Sequence, residues 1–163
     1  MHTKLIRTRA GAFAATFSTA GLAMLEFPGG RNARAVASRS RSGENAAWIR
    51  QTRAALDDGL AGRDPRELPP LDLAAGTDFQ RRVWRELLKI PSGRTRSYGE
   101  VASRLGKPGA ARAVGAACGA NPVPVLVPCH RVLASNRTLG GFSGGVNWKQ
   151  RLLAAEGVGV GGK

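Results

Sequence analysis

The sequence predicts an α+β fold, on three observations. Residues 11–27 read as two strands about a turn, residues 46–62 repeat apolar side chains at helical spacing, and from Thr77 onward the chain is a series of capped helices. The stretch "RDPRELPPLDLAAG", 63–76, holds three prolines and reads as a linker. A small amino-terminal α/β domain over 1–70 is therefore expected, with 71–76 ending the linker. A helical domain over 77–157 and a flexible tail over 158–163 follow.

In the first part, "AFAATF", "STAG" and "LAMLEF" give strand, turn and strand, with turn chemistry at Ser18–Gly21. Lys4, Arg7 and Arg9 ahead of this apolar stretch also fit the layout of an export signal, but Thr16, Ser18, Thr19 and Gly21 interrupt it, and the hairpin is preferred. No apolar run is long enough to span a bilayer. Residues 28–45, rich in Gly, Arg and Ser, read as a loop. Trp48, Ile49, Thr52 and Leu56 mark a helix that Gly59 or Gly62 ends.

Thr77 with Gln80 forms a capping box, and Phe79, Val83, Trp84, Leu87 and Leu88 recur on one helical face before Pro91 and Gly93. Ser97 with Glu100 is a second capping box, followed by Tyr98, Val101, Ala102 and Leu105 on a short helix that Gly106 ends. "GAARAVGAACGA" makes a third helix, and the pair has the outline of a helix-turn-helix or of a plain helical hairpin. Ala110, Ala113, Val114 and Ala117 suit a core face, leaving Arg112 among Gly115, Ala116 and Gly119. Such a surface fits close approach to a DNA groove or to another helix. "LASNRTLGGFSGG" is a turn-rich loop, and "VNWKQRLLAAEG" a last helix with Trp148, Leu152 and Leu153 inward and Gly157 past its end.

The formal charge of +14 divides as +5 over residues 1–70 and +9 over the rest. That surplus points to a polyanion, nucleic acid before membrane, or to the composition of a basic proteome. Two cysteines, Cys118 and Cys129, form no disulfide framework and fit a reducing compartment, the cytoplasm, at the nucleoid in a bacterium. With His2 and His130 the only imidazoles and no Cys-x-x-Cys pair, no metal site is expected.

The chemistry concentrates in "PVPVLVPCHRV", 122–132. Pro122, Pro124 and Pro128 fix φ and forbid helix, so Cys129 is expected on an extended, rigid approach. Such an approach suits a nucleophile that meets its target at a fixed distance. An ordinary thiol is only about 3% thiolate at neutral pH, so it needs a base. His130 is the available one, at a bend or through a water. Glu156, a carboxylate in a last helical turn against the macrodipole, is either a solvated side chain or the group that orients His130.

"NPVPVLVPCHRV", with "TDFQRRVWRELLKIPSGRTRSYGEVA", "GAARAVGAACGANP" and "GGFSGG...K..LLAAEG", closely resembles the O6-alkylguanine-DNA alkyltransferases, the methylated-DNA–protein-cysteine methyltransferases. The resemblance runs over about 76–157 and is loose over 1–70. It implies a ribonuclease-H-like first domain and a winged-helix-like second domain with a helix-turn-helix entering the minor groove. It also implies irreversible, single-turnover transfer of an alkyl group from O6-alkylguanine, with O4-alkylthymine a further substrate candidate, to Cys129. His130 would take the thiol proton through a water and Glu156 would hold it. Asn121 would brace the turn, and Tyr98 would assist base rotation and protonation. Arg112 would fill the stack after flipping, beside Ser97, Ala110, Gly115 and Ala116 on the DNA surface. Pro124, Val132, Phe142 and Ser143 would form the base pocket, Phe142 standing where Tyr is frequent. The partner expected is duplex DNA containing O6-alkylguanine; no cofactor, no membrane and a monomer are expected.

Three other classes remain. A lesion-binding protein of the alkyltransferase-like group would lack the acceptor cysteine, which is present. A helix-turn-helix regulator would need several base-reading side chains, and only Arg112 stands out. A Cys-His hydrolase would turn over through an acyl intermediate.

Overall fold

The structure, a computed structural model, describes residues 1–36, 45–140 and 145–160. It is a mixed α and β fold. Three strands, β1 (His2–Thr8), β2 (Gly11–Phe17) and β3 (Leu22–Glu26), form an antiparallel sheet in the order β1-β2-β3. The expected hairpin is β2–β3, closed where the Ser18 amide donates to the Gly21 carbonyl at 2.9 Å. β1 lies ahead of the expected hairpin and places Lys4 and Arg7 in a strand. It is an edge strand whose one fully buried side chain is Ile6, so it carries little of the alternation that reveals strands.

The loop expected over 28–45 contains a short helix, α1 (Arg31–Val36), while 37–44 lie outside the described residues. Its Ala and Arg residues favour helix, a preference hidden by the Gly and Ser around them. Helix α2 (Ala46–Leu60) starts at Asn45, whose side chain accepts from the Trp48 amide, and it covers the sheet. Trp48 stacks on Phe17 at 6.4 Å between centroids. Just beyond it Gly62 adopts φ +80°, and a Cβ there would overlap the Ala155 carbonyl oxygen. That contact seats the end of α2 on the residue before Glu156.

The linker residues contain no helix or strand, but they are tied to the sheet. The Leu22 amide donates to Pro70 and the Asp72 amide to Leu22, both at 2.8 Å. Helix α3 (Asp78–Leu87) opens with the expected box, Thr77 accepting from the Gln80 amide and Gln80 from the Thr77 amide. Val83, Trp84 and Leu87 are buried, whereas Leu88 is 38% exposed and leaves the expected face. Glu86 is buried in its stead, between Lys89 at 3.0 Å and Arg96 at 3.3 Å. A paired carboxylate tolerates that position, which a lone one would not.

Strand β4 (Arg96–Ser97) leads into α4 (Tyr98–Arg104), with the Ser97 side chain accepting from the Glu100 amide. Gly106 at φ +74° turns the chain toward α5 (Ala111–Gly119). On α5, Val114, Ala117 and Cys118 face the core and Ala113 is exposed, correcting the predicted face. The Trp84 indole donates to the Ala117 carbonyl at 2.8 Å, fixing the rotation that turns Cys118 inward. A 3₁₀ turn (Cys129–Arg131) precedes β5 (Val132–Leu133), which pairs in parallel with β4. Helix α6 (Val146–Ala155) buries Lys149, Leu152 and Leu153. One continuous apolar cluster runs from Ile6 and Phe13 through Trp84 and Val114 to Cys129 and Leu152.

Candidate active site

The three prolines do not produce an extended approach. Residues 122–127 fold into successive bends and turns, with Val125 at φ +74°. A β-branched residue there is strained by about 1–2 kcal/mol. Gly59 on α2 makes room for it, since a Cβ at Gly59 would lie 2.8 Å from Val125 Cγ1. Asn121 closes the turn from inside: its Nδ2 donates to the Val127 carbonyl at 2.8 Å and its Oδ1 accepts from the Val123 amide at 3.0 Å. The Cys129 amide donates to Val127 at 2.8 Å, so the thiol leaves a tight turn at a set angle.

Cys129 is 2% exposed. Burial pushes its thiol up to about 11, against opposing help from the Asn121 side chain and the Lys149 charge. At that value the thiolate fraction at pH 7 is about 10⁻⁴. The group needs a base, and His130 follows it on the same 3₁₀ turn.

His130 is 2% exposed, and its Nε2 lies 3.0 Å from Glu156 Oε1. Burial lowers its pKa below 6.5, although Glu156 works in the other direction. A neutral ring bonded to a carboxylate carries its proton on Nε2, which leaves Nδ1 as a lone pair. Nδ1 is buried and meets no hydrogen-bond partner among the described residues.

Glu156 is the residue capping α6. Burial raises its carboxyl, but hydrogen bonds from His130 and Arg131 outweigh this and hold it below 4.5. Arg131 Nε donates to Oε1 at 2.9 Å and to Oε2 at 3.2 Å, and Nη2 to Oε1 at 2.7 Å. Nη1 of Arg131 donates to the Ile90 carbonyl at 2.6 Å and reaches Asp64 at 3.0 Å. The carboxylate thus stays ionised beside a neutral imidazole.

Two buried cations in this site, Arg131 and Lys149, escaped the sequence reading. Lys149 is fully buried on α6 and its Nζ donates to the Val132 carbonyl at 2.8 Å. It lies 5.9 Å from the Tyr98 ring centroid. Burial lowers its pKa, while Cys129 and Cys118 pull it back up. A lysine on the apolar side of α6, between Trp148 and Leu152, was the available signal.

Tyr98 opens α4, and its hydroxyl is packed so closely on Gly140 that a Cβ there would overlap it. Burial first, then the two cysteines, raise it to about 12, so the hydroxyl keeps its proton. Burial raises Cys118 to about 12 as well. Gly115 of α5 faces the Tyr98 ring, Ser97 and Ala110 are half-buried beside these helices, and Arg112 and Ala116 are exposed.

Pro124 is buried in the active-site turn. The Val132 amide donates to the Cys129 carbonyl and the Val132 carbonyl accepts from Lys149. Phe142 and Ser143 lie outside the described residues. The site can therefore hold a protonated thiol, an adjacent base with one nitrogen free, and a carboxylate that fixes the base's tautomer.

Residues 78–158 match the family described as 6-O-methylguanine DNA methyltransferase, DNA binding domain. The chain is 59% identical over 86 residues to a methylated-DNA–protein-cysteine methyltransferase of Mycobacterium tuberculosis. It is 58% identical over 106 residues to one of Salmonella typhimurium. These matches span 52% and 62% of the two relatives, respectively. The structure of M. tuberculosis OGT in complex with DNA aligns over 96% of this chain and 92% of that one, at 39% identity and a TM-score of 0.78.

Proposed function

The chain belongs to the methylated-DNA–protein-cysteine methyltransferase family, and we infer that it reverses alkylation damage by moving the alkyl group of O6-alkylguanine in duplex DNA onto Cys129. The carrying observation is the Cys129 thiol on a rigid turn next to a neutral His130 whose Nδ1 is free and whose Nε2 is held by Glu156.

In this reading His130 Nδ1 takes the thiol proton, directly or through one water, and Glu156 steadies the imidazolium that forms. Lys149 faces the developing thiolate and favours it by charge. The sulfur displaces the purine oxygen from the alkyl carbon. Tyr98, protonated, supplies a proton toward the leaving base and regains one from the His130 imidazolium through solvent, and Asn121 keeps the sulfur in line. The atoms balance: alkylguanine and thiol become guanine and a thioether. A thioether has no route back to the thiol, so each chain acts once and needs no cofactor.

The base must leave the duplex to reach a thiol that is 2% exposed. The α4–α5 helix-turn-helix, Arg112 exposed upon it, fits the minor groove, with Arg112 filling the vacated stack. Ser97, Ala110, Gly115 and Ala116 allow close approach. Pro124, Val132, Phe142 and Ser143 are assigned to the base pocket. The ribonuclease-H-like and winged-helix-like descriptions of the two parts, a monomeric state and action in the cytoplasm belong to the same reading.

Intact mass and peptide mapping after mixing with an O6-methylguanine duplex tests it. One methylene gained on the Cys129 peptide supports the reading. An unchanged mass with lesion-dependent binding makes the chain a damage-binding protein.

A further inference from the structure

Beyond Glu156, the buried Arg131 guanidinium meets a second carboxylate, and that one comes from the linker. Asp64 stands just past Gly62, and its Oδ1 lies 3.0 Å from Arg131 Nη1. The guanidinium is therefore divided between two sides. Nε and Nη2 donate to Glu156, while Nη1 is left to Asp64 and the Ile90 carbonyl. The Arg131 side chain is 5% exposed and that of Asp64 53%, so the pair joins a buried cation to a carboxylate at the surface.

Asp64 is itself held in place. The Ser92 amide donates to its Oδ1 at 3.0 Å and Oδ2 at 3.1 Å, and the Ser92 hydroxyl donates to the Gly62 carbonyl at 2.5 Å. The next amide, that of Gly93, donates to Glu156 Oε2 at 3.5 Å. The turn at 91–93 thus ties the linker to both carboxylates of Arg131.

Glu156 Oε1 serves two donors, His130 Nε2 at 3.0 Å and Arg131 Nη2 at 2.7 Å. A guanidinium without a second carboxylate would draw that oxygen more strongly to itself and loosen its hold on the ring. We propose that Asp64 is a positioning residue for the transfer reaction, anchoring the far side of Arg131 so that Glu156 stays aimed at His130. The assignment rests on His130 acting as the base for Cys129. Asp64 acts through Arg131 rather than on the thiol. Without its charge, Arg131 stands less compensated beside the imidazolium that proton transfer creates, and that cation becomes harder to form. The other charges around His130 stay as they are: Glu156 and Lys149 from α6 and Arg131 from its own turn, while Glu86 of α3 is taken by Lys89 and Arg96.

The test combines ring-proton NMR of His130 against pH with transfer from an O6-methylguanine duplex, followed by intact mass at fixed salt. Asp64→Asn keeps an oxygen for the Ser92 amide and removes the charge. Asp64→Glu keeps the charge and disturbs the bond to Ser92. In Asp64→Asn the His130 midpoint should fall by about half a pH unit. Transfer at pH 7 should slow about threefold, the same half unit expressed in the imidazolium equilibrium. Asp64→Glu should keep both near their native values, even where its melting temperature falls. A midpoint unmoved by Asp64→Asn, or moved as far by Asp64→Glu, overturns the positioning role. Failure of the native protein on the methyl duplex overturns alkyl transfer itself.

Discussion

His130 Nε2 lies 3.0 Å from Glu156 Oε1, 26 residues away, while the other nitrogen of the same buried ring has no partner among the described residues. The carboxylate is held ionised by three contacts from Arg131, so the imidazole is the member of the pair that changes protonation. A base is thereby kept neutral and oriented beside a thiol that burial has made reluctant to ionise.

Cys129→Ala should abolish transfer and leave DNA binding intact, as read by mass and by a gel-shift titration. Methyl appearing on Cys118 in that variant would contradict the assignment of the acceptor.

Arg112 is exposed on α5. Arg112→Ala should slow repair of an O6-methylguanine duplex about tenfold or more and leave reaction with free O6-benzylguanine nearly unchanged. Equal losses on both substrates would remove the stack-filling role. Binding to duplex should weaken steeply as salt rises, since phosphate contacts release counterions.

The pH dependence follows from two depressed pKa values. His130 in the fold sits below its ordinary 6.5 and Glu156 below 4.5. Both groups therefore bind protons more readily in the unfolded chain. Their contribution to stability is complete above pH 6.5 and is lost as the pH falls through the folded values. Melting temperature should be flat between about pH 7 and 8 and decline below 6.5, and His130→Gln should flatten the upper part of that decline. Transfer should persist at pH 6.5, where an unperturbed imidazole would be half protonated.

Among the described residues Lys149 meets no carboxylate, only the Val132 carbonyl and the face of Tyr98. Lys149→Met keeps the volume and removes a buried charge, so denaturant stability should hold or rise. Transfer should fall at least about tenfold, because the charge that favours the thiolate is gone. An unchanged rate would show that the charge does not act on Cys129.

Gly62 at φ +80° abuts the Ala155 carbonyl. Gly62→Ala should destabilise the fold by about 2 kcal/mol or more in urea titration, combining backbone strain with a steric clash. Because the clash falls one residue before Glu156, transfer should slow in the folded fraction as well.

Much of the helical half was readable from local chemistry. Thr77 and Gln80, or Ser97 and Glu100, meet across three residues of one chain, so their hydrogen bonds are written in composition. Cys129 and His130 are neighbours in sequence, and Glu156 stood out because a helix end disfavours its charge. Strand β1, the turn at Val125 and the inward face of Cys118 were not readable. Each depends on a partner far along the chain: β2 for the strand, Gly59 for the turn, Trp84 for the rotation of α5. Arg131 and Lys149 look like surface residues until Glu156, Ile90 and Val132 surround them. A bond across three or four residues is set by local geometry, whereas burying a charge requires polar partners that only folding brings within reach.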